Sequence, residues 1–231
     1  WLFGAVLALA MPAQAGAQNY RVPISDCASC AHGPTYPTAY VDLDTNAGTF
    51  KDWNCGQVSY DGHHGTDIGI GGWTYMDSGS MEVVAAAEGD VIFVHDGEND
   101  RCGGDPNVSG PQQCGTQPCI GPPGHCGNGE SNSVGIRHAD GKVTSYLHMK
   151  TGTVVVQVGD HVACGQKLGL VGSSGWSSGP HVHLEVDLSD FLTGPDDPFA
   201  STCGAGGTLS YWVDQGQYAD QANDLLNHSG T

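Results

Sequence analysis

Two histidines two residues apart, His181 and His183, lie inside the stretch Ser178-Gly-Pro-His-Val-His-Leu-Glu-Val186. In a strand, residues i and i+2 share a face and their Cα atoms stand about 7 Å apart, so both rings can serve one metal ion and its bound water. On a helix the same spacing would turn them away from each other. Upstream, His63 and Asp67 stand at i and i+4 within Tyr60-Asp-Gly-His-His-Gly-Thr-Asp-Ile-Gly-Ile70, a separation that shares a face in a helix or a strand. His64 has the other parity and points elsewhere. His148 ends the apolar run Val143-Thr-Ser-Tyr-Leu-His148. Taken singly, each has a plain structural reading: a hydrogen-bonded surface pair for His63 and Asp67, a satisfied strand-end ring for His148. Together they suit zinc, which takes imidazole and carboxylate ligands and in hydrolytic sites keeps three protein ligands and an open fourth position. Five candidates then divide into three ligands and two helpers, and spacing alone leaves that division open.

The elements that must position these side chains are short strands. Gly62, Gly65 and Gly69, with the β-branched Thr66, Ile68 and Ile70, argue against a helix around His63 and Asp67. Residues 81–97 read as two strands joined at the turn Glu88-Gly89-Asp90, with His95 at a strand edge. Residues 133–138 and 143–148 read as a hairpin around Ala139-Asp140-Gly141, whose turn His138 caps or hydrogen-bonds. Thr153–Val158 and Gln166–Val171 continue the strand rhythm, and a glycine and serine loop over 172–179 delivers the chain to His181. Residues 97–131 break the pattern, being rich in Gly, Pro, Asn and Asp and holding four cysteines. A loop this long is stapled or functional; calcium binding through Asp100 and Asp105, or zinc binding by the cysteines, matches no recognised spacing. Residues 16–54 carry turn formers and few periodicities, so they are expected as an extended segment lying on the main domain, with Tyr36, Tyr40 and Trp53 packing. The end of the chain offers only a short helix over Ala219–Leu226.

Composition agrees with a β-rich, exported chain. Thirty-six glycines and 12 prolines among 231 residues, with only 14% charged residues, favour strands and turns. A formal charge of −18 disfavours nucleic acid and anionic lipid as partners. Residues 1–15 have the length, apolarity and Ala13-Gln14-Ala15 ending of a signal peptide, and without a basic region or Met before Trp1 the sequence is expected to be a fragment at its N-terminus; no segment qualifies as a membrane span. Nine cysteines follow that point, an odd number, which fits disulfides in an oxidising compartment with one thiol left over. Cys27-Ala-Ser-Cys30 is read as disulfide-forming rather than as a zinc knuckle or redox pair.

Three ordered motifs resemble one family, the lysostaphin/LytM-type zinc endopeptidases of bacterial cell walls. They are Gly-His-x-Gly-x-Asp at Gly62–Asp67, Ser-Tyr-x-His at Ser145–His148, and Ser-x-Gly-Pro-His-x-His-x-Glu at Ser177–Glu185. The resemblance extends to the scaffold around Val83–Val94, Asn132–Gly141 and Val158–Gly175 and covers about residues 58–198. It implies an all-β LytM-type (duplicated hybrid motif) domain, an antiparallel β-sheet or barrel-sandwich with long loops. It implies Zn2+ held by His63, Asp67 and His183, with His148 and His181 as the catalytic pair, and peptidoglycan cross-links, glycine bridges or D-alanyl-diaminopimelyl bonds, as substrate. Tyr60, His64 and Glu185 are left outside the site, Glu185 being assigned to the opposite face of its strand. The expected organisation is a signal peptide at 1–15, an N-terminal extension at 16–57, the peptidase domain at 58–198 interrupted by the cysteine-rich insertion 97–131, and a tail at 199–231. The expected product is an exported monomer, periplasmic or extracellular.

Two other readings compete. A non-enzymatic module that binds peptidoglycan or activates other wall hydrolases would have lost ligand positions, and all five are present. An unrelated histidine site, as in a cupin or a copper/zinc dismutase, needs a longer spacing to its glutamate or further histidines in another order. An acidic secreted enzyme could also cut glycine-rich proteins outside the cell.

Overall fold

A computed structural model describes residues 19–26, 35–100, 131–203, 206–215 and 218. The signal-peptide segment, Cys27 and Cys30, the four cysteines of the 97–131 loop and the helix expected over 219–226 lie outside the described residues.

The described chain is almost entirely antiparallel β structure. In order it forms β1 (Ile24–Asp26), β2 (Tyr36–Ala39), β3 (Thr66–Gly69), the single-turn helix α1 (Trp73–Ser78), β4 (Met81–Val84), β5 (Gly89–His95), β6 (Ser133–Arg137), β7 (Val143–Leu147), β8 (His161–Val162), β9 (Lys167–Leu170), β10 (His181–Asp190) and β11 (Thr193–Asp196). Two sheets result. The larger runs β2-β3-β10-β7-β6-β5-β8, with β11 paired to β10, and the smaller runs β1-β4-β9. The larger sheet does not close into a barrel: β2 and β8 are its ends.

Strand β10 organises the molecule because its alternation is strict. Val182, Leu184 and Val186 are fully buried in the apolar core with Val134, Ile136 and Tyr146 of the neighbouring hairpin and Met81, Val83 and Leu168 of the smaller sheet. Burial of such side chains stabilises by about 1.5–3 kcal/mol each. The intervening residues, His181, His183, Glu185 and Asp187, therefore all face the other way. A one-residue slip would exchange the two sets, so the core fixes the register of the site.

The hairpin at 133–147 forms as expected, β6 against β7. His138 receives the backbone N–H of Gly141 on its carbonyl, and its own N–H donates to Lys142, closing the turn. One expectation is corrected. The run Thr153–Val158 is not a strand: Val155 donates to the Leu168 carbonyl, but Val155 and Val158 are exposed, so β-propensity without a partner for the ladder leaves an irregular segment. The two strands expected within 81–97 form as β4 and β5 and lie in different sheets: β4 joins β1 and β9, while β5 joins β6 and β8. The N-terminal segment is built into both sheets, β1 against β4 and β2 against β3, and Tyr40 and Trp53 are core residues.

Candidate metal centre

Register places the first two site residues. His183 on β10 lies directly opposite Asp67 on β3, and on its other side opposite Leu147, the residue before His148. Residues opposite each other in an antiparallel pair present their side chains to the same face. His63 precedes β3 in a turn closed by its N–H to the Tyr60 carbonyl. The consequence is a triangle of ligand atoms: His183 Nδ1 to Asp67 Oδ1 is 2.9 Å, His63 Nε2 to Asp67 Oδ1 is 3.2 Å, and His63 Nε2 to His183 Nδ1 is 3.2 Å. Among the described residues these three are the group of metal-ligating side chains so converged.

Backbone carbonyls fix the rings. A carbonyl only accepts, so the nitrogen that meets it carries the proton. His63 Nδ1 donates to the Tyr40 carbonyl at 2.7 Å, leaving Nε2 unprotonated toward Asp67. His148 Nδ1 donates to the Ser174 carbonyl at 2.6 Å, and His181 Nδ1 to the Gly179 carbonyl at 2.7 Å. Both rings thus turn Nε2 inward; His181 Nε2 is 3.5 Å from Asp67 Oδ1, and the His148 and His181 ring centres are 4.6 Å apart. His148 reaches its place from a left-handed backbone (φ 62°), a conformation uncommon outside glycine and concentrated at functional positions.

The electrostatics fit a cation. Burial opposes charge on Asp67, yet the adjoining imidazoles of His181, His183 and His63 outweigh it and hold the carboxyl well below its ordinary value. Burial likewise opposes charge on His183, but Asp67 and Glu185 overcome it and push the ring up to about 9. His148 behaves oppositely: burial, reinforced by His181 and His183, pushes it down to about 3, so it is neutral. The ligand-atom separations match the roughly 3.3 Å that bonds of about 2.0–2.1 Å require around a tetrahedral zinc. The donor set, two imidazole nitrogens and a carboxylate oxygen, is one that zinc accepts.

All five expected residues come together, and His64 is exposed. Glu185 is a correction: 181, 183 and 185 step by two, so they share a face, and Glu185 Oε2 lies 3.5 Å from His183 Nε2. Other contributors went unpredicted. Tyr60 stacks on His63 with ring centres 4.2 Å apart. Gly65 leaves space for His183, since a Cβ there would sit 2.5 Å from Nε2. The carbonyls of Tyr40, Ser174 and Gly179 carry no side-chain signal. A cleft of about 300 Å³, walled by Tyr36, Ile70, Trp73 and Pro180, opens onto Asp67 and His181.

Comparison with known proteins finds similarity over part of the chain. The description "Peptidase family M23" matches residues 123–193, a span that includes His148, His181 and His183 and stops short of His63 and Asp67. An uncharacterized metalloprotease of Buchnera aphidicola is 36% identical over 72 residues, 31% of this chain and 19% of that protein. The DD-carboxypeptidase/endopeptidase Mpg of Neisseria meningitidis is 41% identical over 61 residues, 26% and 14% respectively. Lysostaphin of Staphylococcus simulans is 36% identical over 88 residues, 36% of this chain and 18% of that protein. The solved catalytic domain of lysostaphin aligns with 72% of this chain and 89% of its own at 20% identity and a TM-score of 0.41. The matched stretch thus spans less than a fifth of the length of each of these curated relatives.

Proposed function

We propose that this chain, which matches Peptidase family M23 over residues 123–193 and is similar over part of its length to lysostaphin, is an exported zinc metalloendopeptidase that hydrolyses peptide cross-links of peptidoglycan. The observation that carries the reading is the convergence of His63 Nε2, Asp67 Oδ1 and His183 Nδ1 within 2.9–3.2 Å of one another, beside two further inward-turned imidazoles. On this reading His63, Asp67 and His183 hold zinc, and His148 and His181 are the catalytic pair.

Zinc in this position would supply a Lewis acid and lower the pKa of water towards about 7. The remaining work falls to the protein's own side chains. His148 is neutral with Nδ1–H committed to the Ser174 carbonyl, so its Nε2 lone pair is available to take a proton at the reacting centre. His181, at the mouth of the cleft, presents its Nε2 beside Asp67 and orients the group being attacked or stabilises developing negative charge. The cleft between Tyr36, Trp73 and Pro180 would receive the peptide alongside these rings. The formal charge of −18 disfavours polyanions as alternative substrates.

Purified protein should carry about one zinc per chain and release new termini from peptidoglycan in a chelator-sensitive digest, with mass spectrometry of the muropeptides naming the bond. His63→Ala or Asp67→Ala should abolish both zinc retention and hydrolysis, and full activity in either variant would falsify the site. Zinc-loaded protein that binds peptidoglycan without releasing any terminus would instead indicate a non-catalytic binding module.

A further inference from the structure

We propose that Glu185 is a positioning residue for His183, the carboxylate that orients the ring so that Nδ1, and not Nε2, is the atom offered to the metal. This inference rests on the zinc-site reading above. The observations are geometric. His183 directs Nδ1 at Asp67 and His63, and the opposite edge of the same ring, at Nε2, faces Glu185 Oε2 at 3.5 Å. A ligating imidazole commonly gives its other N–H to a carboxylate or carbonyl, which sets ring orientation and raises ligand basicity. His63 has such a partner in the Tyr40 carbonyl; Glu185 is the corresponding partner for His183.

Burial strengthens the case. Glu185 is 4% exposed and Asp187, two residues along the same face of β10, is wholly buried. Two carboxylates this close in a dry environment are costly unless a positive or proton-donating group stands beside them. Asp187 has its own donors, Ser145 Oγ at 2.8 Å and the Leu192 N–H at 3.0 Å. Glu185 has the ring of His183. Gly65 completes the arrangement by leaving the Nε2 edge of that ring uncrowded.

The test is metal affinity and spectroscopy on the full chain. In Glu185→Gln, which keeps the shape and removes the charge, zinc dissociation measured by chelator competition should rise about 10–100-fold, and the visible absorption of the Co2+-substituted protein should shift. Glu185→Ala should show at least the same loss. Unchanged zinc affinity with an unchanged Co2+ spectrum in folded Glu185→Gln overturns the proposal, leaving the zinc-site reading intact. Failure of wild-type protein to bind zinc overturns that reading itself. Should both variants fail to fold, 15N NMR of zinc-loaded wild type decides: the expected His183 has a metal-bound Nδ1 and a protonated, exchange-protected Nε2, and a ring bound through Nε2 overturns the assignment.

Discussion

At the scale of single residues, the site divides labour between rings that are chemically alike by giving each a different partner. Histidines 63 and 183 converge on Asp67, whereas His148 is buried, neutral and tied to the Ser174 carbonyl. His148→Ala should therefore leave zinc content unchanged while hydrolysis falls about a hundred- to ten-thousand-fold, the usual contribution of a positioned acid or base; equal loss of zinc would make His148 a ligand instead. Gly65 offers a sharper test of packing around the ligands. A Cβ there would stand 2.5 Å from His183 Nε2, 2.7 Å from its Cε1 and 2.7 Å from the Leu184 carbonyl, too close for any of the three to remain where it is. Gly65→Ala should displace His183 and weaken zinc binding by at least tenfold in chelator competition. A variant that binds zinc as wild type does would show that β10 yields without disturbing the site. Ligand types were legible because their chemistry is written in the side chains; the carbonyls that set their tautomers were not, because every residue has one.

At the scale of elements, the legible part is what period and parity can reach. Alternation along β10 separates Val182, Leu184 and Val186 from His181 and His183, and the hairpin 133–147 announces itself by its turn. The same parity rule, applied to position 185, places Glu185 beside His183 and not behind it. Pairing was less legible. Nothing in Thr153–Val158 says that it lacks a ladder partner, and nothing in Met81–His95 says that its two strands part into different sheets. Also hidden was the buried knot behind His148. The Asn132 side chain accepts from the Glu98 N–H at 2.7 Å and donates to the carbonyls of Glu98 and Met149 at 2.9 Å each, while its backbone N–H donates to Ser174 Oγ. That hydroxyl in turn donates to Met149, fixing the residue whose carbonyl holds His148. Removing the side chain takes the acceptor from the buried Glu98 N–H, at about 1–3 kcal/mol, while the Glu98 and Met149 carbonyls keep Thr151 Oγ1 and Ser174 Oγ as donors. Asn132→Ala should lose about 1–3 kcal/mol in urea titration and lower kcat while zinc stays bound; a stability loss with kcat intact would confine Asn132 to the scaffold.

At the scale of the whole molecule, the two ends of the described chain are fastened together beside the main sheet. Tyr40, Trp53, Phe199 and Trp212 form one aromatic cluster, and a disulfide joins Cys55 to Cys203 across 148 positions; Cys164 is the free cysteine among the described residues. An odd cysteine count foretold a spare thiol, but no spacing could name a partner so distant in sequence. Within this clasp Asp197 is 3% exposed, one carboxylate oxygen receives the Phe199 N–H, and the other has no hydrogen-bond partner among the described residues. Burial, with the nearby negative charges of Asp196 and Asp52, pushes its pKa up to about 7. The unfolded chain releases that proton near the ordinary value of 3.8, so between these two limits the folded state binds more protons than the unfolded one and stability falls as pH rises. The fall is complete above about pH 7 and absent below about pH 4. With each tenfold change in proton affinity equivalent to about 1.36 kcal/mol, the carboxylate costs on the order of 4 kcal/mol at pH 8, less whatever an amide loses by leaving its own N–H unpartnered. Asp197→Asn should accordingly be more stable than wild type by about 1–3 kcal/mol at pH 8, with the difference shrinking steadily as chemical denaturation is repeated down to pH 5. The comparison between variant and wild type at each pH cancels every other titrating group, His63, Asp67 and His183 included. A difference that stays constant across that range would mean that Asp197 does not titrate in it, and that the cost of closing the clasp lies elsewhere.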